Sequence, residues 1–488
     1  MTLFHFTSPS HTFSGDVIKL VTGTILAQAI GILVMPVVSR LFAPEAFGIA
    51  AIFSSITGII GTIVCLRYQL AIMLPESTVE AINILGVSLI SIILVTFIVT
   101  LIIFIGNEAI IDLLQAPQFK DYLWFLPLAI FFQGLFLALN YWNSRSKMFG
   151  RISIARVIES FTTHPLKLAC GFAGFASGGI LIGTTVIGSI VASVILSCQI
   201  WKEDKHKFQN INWKAIYNGF IRYKKFPIID TWGGLLNSVS WQLPALMLSS
   251  YFSTAVVGFY ALGLAVIKRP LNILSSSLAQ VFYQKACDDK NASGKNGELI
   301  EVLMDKLMFI GILPTIVLSL VGEELLGFIF GQNWLEAGFY TQILAPWMFF
   351  WFISSPLSSL FWVYERQGAA FSAHLIIFMT RVISLYIGGI HQNVYFALTL
   401  FSVTGIFAYT FVAAWNIRLA RANQIKILKL FTHYCISFSP SLFFLYFIKH
   451  WLNFSDERIL MFTTLIIIIY VAIFRKKYMS IIKDYKCH

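Results

Sequence analysis

Arg381 stands in the middle of residues 371–389, an apolar run whose other basic side chain, His374, is seven positions earlier on the same helical face. Lys167 lies in a second apolar run, 152–174, on a face with Arg156, Glu159 and Thr163, with His164 and Pro165 beside it. Arg67 closes a third run, 46–66, as the first charge after a long uncharged stretch. Lys268 and Asn272 share a face of 256–280, Gln133 and Asn140 one of 122–143, and Asp230, Asn237 and Trp241 one of 227–250. Basic groups in a low-dielectric setting grip phosphate-type anions, Arg bidentately and Lys as a point charge. Asp230 and Glu159 offer carboxylates for a coupling cation, H+ or Na+. Trp347, Trp351 and Trp362, with Ser355 and Ser358, form a stripe of flat rings and hydroxyls over 338–362 that suits sugar faces. Blander readings stand beside each. Charges near the run ends snorkel to an interface, tryptophans anchor there, and His374 and His164 serve as satisfied core histidines. Asp230 pairs with Lys224 or Lys225, or sits at a helix N-terminus favoured by the dipole.

The elements that position these residues follow from composition. Of 488 residues, 57% are hydrophobic and 12% charged, with mean hydropathy +0.78, which lies far outside soluble globular usage. A membrane span takes roughly 20 apolar residues. The chain reads as fourteen: 17–39, 46–66, 82–105, 122–143, 152–174, 178–200, 227–250, 256–280, 304–326, 338–362, 371–389, 393–416, 430–449 and 457–474. The expected fold is an all-α polytopic membrane protein: two pseudo-symmetric six-helix lobes plus a C-terminal helix pair. The lobes are 1–215 and 216–420, and 421–488 carries the accessory helices and a basic tail.

With the N-terminus placed inside, the basic residues crowd the inner segments: Arg145 to Arg156, Lys202 to Lys225, Lys268 to Lys306, Arg418 to Lys429 and Arg475 to Lys486. The outer segments hold Arg40, Lys120, Lys449 and Arg458, and are acidic at Glu108, Asp112, Asp121, Glu323, Glu324 and Glu336. This positive-inside pattern accounts for the net charge of +12, removes a nucleic-acid reading, and sets both termini inside.

Residues 202–226 alternate Phe208, Ile211, Ala215, Phe220 and Tyr223 with Lys207, Lys214, Arg222 and Lys225 at helical spacing. That describes an amphipathic helix on the inner leaflet or, equally, a solvated basic linker. The six cysteines are scattered without metal spacing, and are expected to be reduced packing residues. The first 15 residues lack the features of a cleavable signal peptide. Enzyme readings fare badly: no Ser/His/Asp spacing, zinc cluster, nucleotide loop or carboxylate pair beside a large outer domain occurs, and the outer segments are short.

One hairpin recurs. LFAPEAFGIAAIFSS (41–55) aligns with YFSTAVVGFYALGLA (251–265), matching Phe42, Gly48 and Ala51 with Phe252, Gly258 and Ala261. The blocks SRLFAPEAFG, LRYQLAIMLPE and VGFYALG…KRPLNILSSSLAQVFYQKA (257–286) resemble the polysaccharide (O-antigen, Wzx-type) flippases of the multidrug/oligosaccharidyl-lipid/polysaccharide exporter superfamily. The resemblance implies a non-enzymatic carrier in the bacterial inner membrane. It would flip a polyprenyl-pyrophosphate-linked oligosaccharide, an O-antigen or capsule repeat unit of lipopolysaccharide or exopolysaccharide synthesis, by alternating access. Expected partners are the lipid-linked oligosaccharide, membrane lipids, a polysaccharide polymerase and a chain-length regulator; no cofactor is expected beyond coupling to H+ or Na+. Such a cargo makes Arg381, Lys167, Arg67, His374, Lys268, Asn237 and Trp351 the cavity candidates, with Asp230 and Glu159 for cation coupling. The alternatives are a cation-coupled drug exporter of the same superfamily and a non-catalytic scaffold of the glycan assembly machinery.

Overall fold

The computed structural model describes residues 13–293, 296–451 and 454–475. Among them every long element is a helix, because backbone groups in hydrocarbon must be satisfied within the segment itself. Fourteen helices of eighteen residues or more follow the fourteen apolar runs. They are α1 (Phe13–Leu41), α2 (Pro44–Ile63), α3 (Thr78–Leu114), α4 (Phe125–Arg145), α5 (Phe149–Phe172), α6 (Gly178–Phe208) and α7 (Thr231–Tyr251), then α8 (Thr254–Ser293), α9 (Gly297–Phe330), α10 (Leu335–Ser354), α11 (Gln367–Ile390), α12 (Val394–Leu419), α13 (Gln424–Trp451) and α14 (Asp456–Ile473). Eleven helical stretches are long and apolar enough to cross a membrane by length and composition. Of the remaining three helices, α5 and α7 are more polar, and α14 is apolar apart from Asp456, Glu457 and Arg458 in its first turn. α5 carries Arg151, Arg156, Glu159 and Lys167, the side chains that mark it as a candidate site element.

The recurring hairpin has a structural counterpart. Leu41 and Tyr251 end helices, and Pro44 and Thr254 begin the next, so both boundaries repeat at an offset of 210 positions. α3 runs further than its apolar core, to Leu114, and leaves helical geometry only at Gly106. Much of the segment expected to be an outer loop is therefore helix.

The chain packs as two compact units, one ending at Val257 and the other beginning at Gly258. In the first, α1 lies along α5, α5 along α6, α4 against α3 and α6, and α2 against α6 and α7. Chain order sets α7 first in the second six-helix set, yet it packs on α2; the six-plus-six division itself remains a proposal. In the second unit α9 and α10 form the closest pair, α12 packs on α10 and α11, and α13 and α14 lie against α9. The α9–α10 seam is tight because both sides are glycine. A Cβ at Gly338 would stand 2.4 Å from the Glu323 Cα and 2.6 Å from the Gly322 carbonyl oxygen.

Three polar pins fix α13 to α9. Lys426 meets Glu301 at 2.6 Å, the Tyr434 hydroxyl donates to Asp305, and Lys449 meets Glu324 at 2.8 Å while also donating to the Leu320 carbonyl at 3.0 Å. Gln342 Nε2 donates to the same carbonyl at 3.2 Å, and the next residue, Val321, departs from helical geometry.

The basic stretch 202–226 is neither one helix nor a linker. α6 continues to Phe208, the Asn212 side chain accepts from the Lys214 amide as an N-cap, and a separate short helix covers Trp213–Arg222. Its inner face is Ile216 and Gly219, with Ile216 packed on Tyr68 and Val87, while Trp213, Tyr217 and Phe220 are exposed. Five cysteines are described. All are free: Cys65 is buried, and Cys198 and Cys435 are exposed. Cys487 lies outside the described residues.

Candidate functional site

The span-internal charges fall into separate groups, best built from the helices that carry them. In the first unit, α2 gives way at its end to two consecutive left-handed residues, Leu66 (φ 47°) and Arg67 (φ 63°). That conformation is costly for side chains with a Cβ and persists only where surroundings hold it. Here they do. The Tyr68 hydroxyl donates to the Phe220 carbonyl at 3.0 Å, and its ring stacks on Phe220 at 5.7 Å. The turn aims Arg67 at the start of α7, where Nε donates to Asp230 Oδ2 at 2.7 Å. Both charges are within electrostatic reach of Tyr141 on α4. Asn237, two turns further along α7, is exposed. Thus two residues assigned opposite roles from the sequence, Arg67 for an anion and Asp230 for a cation, form one ion pair. Neither Lys224 nor Lys225 is paired with Asp230 among the described residues.

On α5, Glu159 accepts from the Ser189 hydroxyl at 3.4 Å, and the Arg156 guanidinium lies 5.4 Å over the Phe136 ring. Lys167, two turns beyond Glu159, is half-buried. Near one end of the same unit, Arg151 joins a buried network that loop-charge counting could not reveal. It meets Glu203 at 2.5 Å and Asp204 at 3.2 Å, while Trp142 and Lys207 also donate to Asp204. Burial alone would raise the Asp204 carboxyl. The hydrogen bonds from Lys207, Trp142 and Arg151 outweigh it and hold the group below the usual carboxylate range.

In the second unit the structure gathers three of the sequence candidates, Arg381, His374 and Lys268. Arg381 on α11 is only 3% exposed. Its Nη2 donates to the Tyr409 hydroxyl on α12 at 2.9 Å, and its plane lies 5.5 Å over Trp347 on α10 and 5.9 Å over Phe401 on α12. Its charge is felt at His374 on the same helix and at Lys268 on α8. Trp351, one turn beyond Trp347, is also buried. The tryptophan stripe does not continue: α10 ends at Ser354, a 3-10 turn runs over Pro356–Ser359, and Trp362 points outward at 56% exposure. The cause is Pro356, whose missing amide ends the helical ladder. Sequence reasoning named Arg381, His374 and Lys268, with Trp347 in its tryptophan stripe, but missed Tyr409 and Phe401. Aromatic residues in apolar runs carry no local mark of what they will face. No group of three or more His, Cys, Asp or Glu among the described residues could hold a metal ion.

Comparison with known proteins places this arrangement. Residues 37–338 match the model of the polysaccharide biosynthesis protein family. No curated protein sequence matches the chain. Among solved structures, the lipid II flippase MurJ in an inward closed conformation superposes with a TM-score of 0.75 over 95% of this chain and 100% of its own, at 15% identity. An inward-facing multidrug resistance MATE family transporter of the MOP superfamily gives 0.61 over 84% and 95%, at 13% identity. The MATE transporter ClbM, solved in complex with Rb+, gives 0.52 over 86% and 97%, also at 13%. These likenesses carry the fold, and the matched family spans well over half of the sequence. The chain therefore belongs to the polysaccharide biosynthesis protein family and has the fold of the MurJ and MATE transporters.

Proposed function

We propose that the protein flips a polyprenyl-pyrophosphate-linked oligosaccharide, the repeat unit of an O-antigen, capsule or exopolysaccharide, from the inner to the outer leaflet by alternating access. It would act in the bacterial inner membrane with both termini cytoplasmic, handing its cargo to a polymerase and chain-length regulator outside. The observation that carries this reading is the gathering of like charges from two membrane helices. Arg381 and Lys268, with His374 beside them, lie within electrostatic reach inside one helical unit. Collecting cations in hydrocarbon is expensive, and an anionic cargo gives a reason for it. A pyrophosphate offers two phosphate groups for bidentate and point-charge donors alike. Family membership supports the glycan part of the reading.

The test is export of a lipid-linked glycan in cells lacking the native carrier. Arg381→Ala should lower export about tenfold or more, the scale of losing one charge-assisted contact, at unchanged protein abundance. Arg381→Lys should retain part of it. Equal loss of abundance and export in Arg381→Ala, both restored by Arg381→Lys, would show a purely structural arginine. A cation-coupled exporter of small drugs is the second reading, favoured by the half-buried carboxylate of Glu159 beside Ser189. Drug efflux driven by an H+ or Na+ gradient, without glycan export, would establish it instead.

A further inference from the structure

Arg67 is fixed and yet available. The left-handed turn and the Tyr68 contacts to Phe220 hold its backbone, while its side chain remains 25% exposed and that of Asp230 44%. Its guanidinium lies against α7 at Gly234, one turn beyond Asp230. A Cβ there would stand 3.3 Å from the Arg67 Cζ and 3.4 Å from Nη1. Glycine leaves a shallow seat for a planar group, and Asp230 occupies one edge of the fork seated there. Lys224 and Lys225, both exposed, closely precede Asp230 in the chain. By the loop-charge reading this end of α2 faces the inner leaflet.

We propose that this pair is a discriminating anion site: Arg67 receives the pyrophosphate of the cargo, and Asp230 is an internal competitor that keeps singly charged phospholipid phosphates off it. The inference rests on the proposed function and adds its selectivity. Anionic phospholipids line the inner leaflet, so a bare arginine at its edge would be contested by their phosphates. A tethered carboxylate answers this, because its effective concentration is on the order of millimolar or higher and its geometry already matches the fork. A phosphodiester carries one charge and gains no more than the carboxylate already gives. A pyrophosphate carries more charge and a second phosphate, which the neighbouring lysines can meet. A partly exposed ion pair is weakly held and so exchangeable. Selectivity arises from the competing group as much as from the receiving one.

The experiment uses the purified full chain in phosphatidylcholine nanodiscs, titrated with farnesyl pyrophosphate and with the singly charged diester farnesyl methyl phosphate, the monophosphate probe. Wild type should prefer the pyrophosphate by about tenfold or more, the scale of one charge-assisted contact. Asp230→Asn should gain monophosphate binding and bring the ratio near one, and phosphatidylglycerol added to the disc should compete in this variant alone. Arg67→Gln should lose both ligands, and Arg67→Lys should bind weakly without discrimination. Inorganic pyrophosphate should displace farnesyl pyrophosphate from wild type; failure to do so would put recognition in the prenyl chain and overturn the site. Weaker pyrophosphate binding in Asp230→Asn, with no gain for the monophosphate, would also overturn it, making the carboxylate a cation ligand or a strut. If Arg67→Gln does not fold, Arg67→Lys carries the same decision. A wild-type chain that exports glycan while Asp230→Asn leaves the ratio unchanged sinks this inference alone. A wild type that neither exports glycan nor binds farnesyl pyrophosphate sinks the proposed function.

Discussion

The guanidinium of Arg381 lies 5.5 Å over the indole of Trp347, and its Nη2 reaches the hydroxyl of Tyr409 at 2.9 Å. Three helices thus converge on one cation, which spreads its charge over ring faces rather than one oxygen. Replacing Trp347, 1% exposed, by Leu should cost about 3 kcal/mol from lost packing and the cation–π contact together. Tyr409→Phe removes one hydroxyl acceptor and should cost about 1–3 kcal/mol, since a buried charged donor loses one of its hydrogen bonds. Thermal unfolding in detergent reads both. A larger effect for Tyr409→Phe than for Trp347→Leu would show that the hydrogen bond, and not the rings, holds the arginine.

The Asp204 network predicts a pH dependence with a definite sign. Its carboxyl is held below the usual range, so it contributes stability at pH values above the unfolded carboxylate pKa of about 3.9. That contribution is lost only as pH falls through the lowered folded value. Asp204→Asn leaves Arg151 buried with one fewer anionic partner, and should cost about 3 kcal/mol at neutral pH. The gap between the melting temperatures of wild type and variant should hold from neutral pH down to about 4 and narrow below it, as the carboxyl protonates. Parallel curves throughout would remove the carboxylate's charge from the account.

The α9–α10 seam should reject any side chain. At Gly338 an alanine gains about 1 kcal/mol of helix propensity but presses into backbone on the facing helix, an overpacking cost of about 3 kcal/mol. Gly338→Ala should therefore lower the melting temperature. Gly183→Ala, with nothing within 4 Å of the added carbon, should not. A neutral Gly338→Ala would mean that the seam relaxes.

Orientation is testable independently of transport. Reporter fusions at Cys487 and at Gly331 should report opposite sides of the membrane, inside and outside respectively, if loop charge sets topology. Both on one side would invert or break the span count.

Much of the fold was legible because bilayer thickness sets helix length, so apolar runs of the right size mark helices without any knowledge of packing. The hairpin turns at Pro44 and Thr254 were legible because turn chemistry is local. Partnerships were not. Arg67 and Asp230 are 163 positions apart, and nothing in either neighbourhood encodes the other. Asp204 looked like one charge in a basic linker, although its place at the end of α6 brings it against Trp142 and Arg151. The tryptophan stripe failed for a local reason that was readable, a proline at 356. The surface helix was half right: the apolar spacing was real, but Asn212 caps a fresh helix and turns Ile216, rather than Phe208 or Phe220, toward the core.

The pins between α9 and α13 bear on how the chain is made. Asp305 emerges 129 residues before Tyr434, and Leu320 the same interval before Lys449. During synthesis α9 thus enters the membrane with Glu301, Asp305 and Glu324 lacking the groups that later neutralise or bond them. A chain stalled or truncated before Gln424 lacks all three pins and should be less stable than the full chain. The last helix pair is thus expected to act as a late clasp: the three pins can close only once roughly the final eighth of the chain has been delivered.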